Sequence, residues 1–141
     1  MIARLETRPS GAVAALSAAA LATLVAGLYL ALIVNQGDGI GTRVAFIAGF
    51  IAAAAWCLVA TVFVRDRRVG LASAAFAAGA LVIVTLLGAA SIGFLLVVPA
   101  FLALRATRLA MADLAADTVR VITPIAAMAA LLVAAIGLIS T

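Results

Sequence analysis

The run from Val69 to Leu104 limits this chain more than any other feature: 36 residues without a charge, preceded by Arg67-Arg68 and followed by Arg105. As one helix rising 1.5 Å per residue it would extend about 54 Å, nearly twice the roughly 30 Å of a hydrocarbon core. A single crossing cannot use that length. Gly88, Ser91 and Gly93 gather between bulky apolar segments, and such a cluster predicts a turn that folds the run into two crossings, 69–87 and 89–104. Both basic ends of the hairpin then lie on one side of the membrane.

Composition agrees with a lipid solvent. Apolar residues make up 69 % of the chain and charged residues 10 %, with a mean hydropathy of +1.41; soluble domains are roughly 45 to 50 % apolar and 25 % charged. No polar stretch is long enough for a soluble domain, so residues 1–141 read as one integral membrane domain. A net charge of +4 on a soluble protein suggests a nucleic-acid partner. Here the nine basic residues, all arginine, fall at predicted helix ends, where they act as topology signals and contact lipid headgroups. Arginines and aromatics do not interleave on a common surface, so no nucleic-acid partner is expected. The 38 alanines, with arginine but no lysine, match GC-rich coding and point to a bacterial inner membrane.

In chain order, Pro9-Ser10 suits a helix start, and 11–34 follows without a charge. Those 24 residues exceed the 7 to 15 residue core of a signal peptide, so a retained first crossing is expected. Asn35 to Thr42 holds three glycines, an Asn and an Asp, the composition of a tight turn. The second crossing is 44–64. Next comes Arg65-Asp66-Arg67-Arg68, which the positive-inside rule assigns to the cytoplasm. The amino terminus, with Arg4 and Arg8, is then inside, and the hairpin returns Arg105 and Arg108 to the same side. Pro99 should bend the returning arm, leaving either a thin crossing or a re-entrant pair. The crossing is favoured, because the charge-free length nearly matches two membrane thicknesses. In 107–120, TRLAMADLAADTVR, Asp113, Asp117 and Arg120 share a helical face; this predicts a short amphipathic helix on the cytoplasmic surface, with an extension of the fourth crossing as the competing picture. A last crossing, 121–139, leaves the carboxyl terminus outside. The expected fold is an all-α polytopic transmembrane bundle of five crossings, N-terminus in and C-terminus out.

The chemical inventory is sparse. The chain has no histidine and one cysteine, Cys57, in the middle of an apolar run. Without an acid or base inside any crossing to activate a nucleophile, catalysis is not expected, nor is a cofactor or metal. Asp113 and Asp117 alone make a poor metal site, and Gly37 to Gly41 lacks the Lys-Ser/Thr of a phosphate loop. What remains is packing. Small residues recur at helical spacing in Ala18, Ala22 and Ala26, in Ala45, Gly49 and Ala53, and in Ala75 with Gly79. Trp56 stands about halfway along the second crossing, away from the interface where Trp is enriched. The face Gly49, Ala53, Trp56 therefore reads as a helix contact, made either with the chain's own first helix or with a partner. Arg65, Arg67, Arg68, Arg105 and Arg108 read as cytoplasmic topology and headgroup contacts. The function expected is that of a small accessory or assembly subunit of a larger membrane complex, or else a small transporter or channel acting as an oligomer. Its partners would be lipids and either a membrane protein or further copies of itself.

Overall fold

The structure is a computed structural model that describes residues 9–37, 41–88, 93–112 and 114–141. The described residues form five helices: α1 Pro9–Asn35, α2 Thr42–Phe63, α3 Arg67–Leu87, α4 Gly93–Met111 and α5 Ala116–Ser140. All five are long and apolar enough to cross a membrane, and no strand occurs among the described residues. The chain is a multi-pass membrane protein.

The helix boundaries follow local chemistry. Asp66 caps α3, its carboxylate accepting the Arg68 backbone N–H at 2.9 Å. Gly37, just beyond α1, takes φ +80, where a side chain would be strained. The hairpin between α3 and α4 is tied by backbone bonds: Gly88 N–H donates to Val84 O at 2.8 Å, and Gly93 N–H donates to Gly88 O at 2.6 Å.

The first four helices close a ring. α1 packs on α2 and α4, and α3 packs on the same two from the other side. α5 lies outside the ring against α3 and meets α2 at few points. Leu109, near the end of α4, sits 3.6 Å from where a Cβ at Gly11 would be, so α4 ends where α1 begins. One end of the bundle thus gathers the start of α1, the α2–α3 connection, the end of α4 and the start of α5. It is called the basic end below.

Packing follows the logic of a lipid-dissolved bundle. Among the described residues, twenty of the 28 buried hydrophobic ones are alanines, whereas Leu24, Phe94, Phe101, Ile125 and Ile136 point outward. In water this would be inside out. In a bilayer, lipid tails solvate the large side chains as well as a protein core does, and small residues let helix backbones approach and gain dispersion contact. Ile51, Leu58, Leu71, Leu81 and Leu96 are, among the described residues, the large aliphatic side chains that are fully enclosed. Among the described residues, the hydroxyls of Thr23, Thr61, Thr85 and Thr107 each donate to a carbonyl three or four residues back in their own helix.

One expectation changes. The separate amphipathic helix over 107–120 is not formed. Residues 107–111 are the last turn of α4, the helix breaks, Ala115 is extended, and 116–120 open α5. Thr107 is 4 % exposed and bonded to Ala103 O, so this turn packs one side into the bundle. The extension of the fourth crossing, the competing picture, accounts for its first part; Asp113 lies outside the described residues. The fourth helix is described from Gly93 and runs on to Met111, past the predicted end at 104; the predicted start at 89 lies outside the described residues. Its 19 residues give about 28 Å of helix, long enough for a crossing. It continues through Pro99, which is fully buried. Residues 1–8, 38–40 and 89–92, with Arg4, Arg8, Asp38 and Ser91, also lie outside the described residues.

Candidate contact face

The three predicted small-residue faces part company in the structure. Ala18, Ala22 and Ala26 of α1 are buried, as is Ala75 of α3. Gly79 lies against α5, where a Cβ would stand 3.4 Å from Ala130 Cβ and 3.5 Å from Ala127 Cα. The face on α2 behaves differently. Gly49, Ala53 and Trp56 all point away from the bundle, a Cβ at Gly49 would meet nothing within 4 Å, and Trp56 is 73 % exposed. α2 packs on its neighbours through Ala48, Ile51, Ala54, Ala55 and Leu58 instead. The contact with the chain's own first helix is therefore not made by this face.

Its shape follows from the residues. Ala45, Gly49 and Ala53 form a shallow strip along the outward side of α2, and Trp56 rises as a ridge less than a turn beyond. Trp56 stands nine residues before Arg65, about 13 Å along the axis, and helical side chains lean toward the N-terminus. The indole therefore leans toward the bilayer midplane and away from the basic end. It brings a large apolar plate and one N–H donor to a depth where lipid tails offer no acceptor.

The arginines are placed by the same helices. Arg65 lies in the α2–α3 connection, Arg67 and Arg68 in the first turn of α3, and Arg105 and Arg108 toward the end of α4; all are exposed. With Arg120 they bring six of the seven described arginines to the basic end, while Arg43 marks the opposite end. Asp66, read from the sequence only as part of this basic loop, is also a helix cap. An Asp immediately before a helical run was the available signal.

Cys57 is half-buried on α2 and forms no disulfide. Compared with known protein families, curated proteins and solved structures, the chain matches none.

Proposed function

We propose that this chain is an accessory or assembly subunit that docks a larger integral membrane protein through the outward face of α2. The observation that carries this reading is the exposure of Gly49, Ala53 and Trp56 together. Large aliphatic and aromatic side chains cover the outward faces of α4 and α5, from Phe94 to Leu104 and from Val121 to Ile139. Along α2 the exposed residues from Ala45 to Ala53 are small, which suits close approach of another helix better than it suits lipid. Trp56 then serves as the aromatic anchor, a residue type enriched at binding hot spots. The basic end faces the cytoplasm, where its arginines contact anionic headgroups. On this reading the chain catalyses nothing and holds no cofactor. The alternative, a transporter or channel built from several copies, draws no support from the ring interior, which is closed by alanines and by Leu58, Leu81 and Leu96.

The test combines purification in mild detergent with site-specific crosslinking. A photoreactive residue at Ala53 should crosslink to one stoichiometric larger membrane protein, and one at Val133 on α5 should not. Trp56→Ala should insert and accumulate normally while losing that partner. A stable homo-oligomer that conducts solute in liposomes, with no larger partner, overturns the proposal in favour of the transport reading.

A further inference from the structure

At the end opposite the basic end, the end that Arg43 marks, a cavity of about 240 Å³ opens among four helices, walled by Tyr29 of α1, Phe46 and Phe50 of α2, Val84 of α3, and Ala134 and Leu138 of α5. We propose that it holds one acyl chain of a phospholipid from the leaflet opposite the basic end.

Its chemistry selects an apolar guest. Among the described residues in its wall, the Tyr29 hydroxyl is the one polar side-chain group. Ordered water in a cavity needs two to four polar partners, and apolar cavities of this size stay dry and take up hydrocarbon. Its depth selects a lipid chain. Phe46 lies about 6 Å and Phe50 about 12 Å from the start of α2, within the roughly 15 Å that one leaflet contributes to the hydrocarbon core. At roughly 30 Å³ for each water-sized unit, the space accommodates about eight methylenes. An approach is present as well. α5 is seated on α3 and hardly meets α2, so the seam between α2 and α5 at this end is spanned by few contacts, the side-chain ring of Phe46 over Gly137 among them. Phe46 stacks on Phe50 at 5.8 Å and Phe50 meets Phe76 edge-on at 6.4 Å, so an aromatic row backs the wall from which the chain is gripped. This site is separate from the α2 face offered to a partner protein, and neither proposal depends on the other.

The test uses the full chain in a bile-salt-type detergent, which has no linear tail to compete. The chain's single tryptophan, Trp56, is lipid-exposed and reports surrounding lipid. Trp56→Phe combined with Tyr29→Trp moves the reporter into the cavity wall. Both proteins are titrated with a phosphatidylcholine carrying bromines midway along its acyl chains. Emission from the cavity reporter should fall at least twofold and saturate near one lipid per chain, while Trp56 emission falls only in proportion to the lipid present. Ala134→Leu, which fills the cavity from α5, should abolish the saturable component while helicity by circular dichroism is unchanged. Quenching at the cavity reporter that merely parallels Trp56 overturns the proposal, as does saturation that survives Ala134→Leu. Saturation by a brominated free fatty acid with none by the phospholipid rejects the phospholipid as the source.

Discussion

The ring of Phe46 on α2 occupies the space that a side chain at Gly137 on α5 would take. It is one of the few contacts that join the peripheral helix to a second member of the ring. Gly137→Ala pushes a methyl into that ring, and because the obstacle is the far end of a side chain, Phe46 can rotate away rather than force the backbone apart. The expected cost is about 1 to 3 kcal/mol, the usual range for overpacking. Denaturant titration of the detergent-solubilised chain measures it. Phe46→Leu should offset much of that loss in the double variant, giving a coupling energy above about 0.5 kcal/mol. Simple additivity of the two changes would show that the ring and the glycine do not meet.

Gly93 and Gly79 should respond in opposite ways to the same methyl. At Gly93 a Cβ would run into the carbonyls of Thr85 and Gly88, which are backbone and cannot step aside without opening the α3–α4 hairpin. At Gly79 it would find ordinary contact distances to α5. Gly93→Ala should therefore cost more than about 3 kcal/mol or prevent accumulation. Gly79→Ala should be neutral or stabilise by up to about 1 kcal/mol through the helix preference for alanine. Protease resistance and unfolding midpoints compare the pair directly.

The fold was legible because lipid imposes a length on each crossing and arginine marks its ends. The uncharged run 69–104 is too long for one helix and resolves into α3 and α4, and Asn35 to Thr42 separates α1 from α2. Where charge was the guide the reading slipped. Asp113, Asp117 and Arg120 suggested a surface helix, but Thr107 and Ala106 are buried in the bundle, and a helix break separates them from Asp117. Spacing also could not say which alanine face turns inward, since Ala18, Ala22 and Ala26 look no different from Ala45, Gly49 and Ala53. Only the arrangement of neighbouring helices distinguishes them. The cavity left a fainter mark, Phe46 and Phe50 one helical turn apart, which periodicity alone reads as ordinary core.

Thr123 gives a prediction of the opposite sign from most substitutions. Its hydroxyl is buried, with no hydrogen-bond partner among the described residues, while Thr107 and Thr85 bond back to their own helices. Pro124 follows it directly. Thr123→Val keeps the shape and removes a polar atom whose burial is uncompensated, so stability should rise by about 1 kcal/mol. A loss of that size would mean that the hydroxyl has found an acceptor in the membrane.

The orientation of the bundle is open to chemical labelling, and the structure dictates where to place the probes. Ala106 follows Arg105 directly but is 5 % exposed, so a cysteine there would be shielded whichever side it faced. Gln36, Asp66, Ala112 and Ser140 are exposed at helix ends or in connections. In a Cys57→Ala background, Asp66→Cys and Ala112→Cys lie at the basic end, and Gln36→Cys and Ser140→Cys at the other. With six described arginines at the first end and only Arg43 at the second, the positive-inside rule predicts that a membrane-impermeant maleimide reaches Gln36→Cys and Ser140→Cys in intact cells. Asp66→Cys and Ala112→Cys should react only after permeabilisation. Reaction of Asp66→Cys and Ala112→Cys from outside would invert the bundle and remove the cytoplasmic role of the arginines. Labelling of Ala112→Cys without Asp66→Cys would contradict the α3–α4 hairpin itself, because these two positions share one end only if both helices cross.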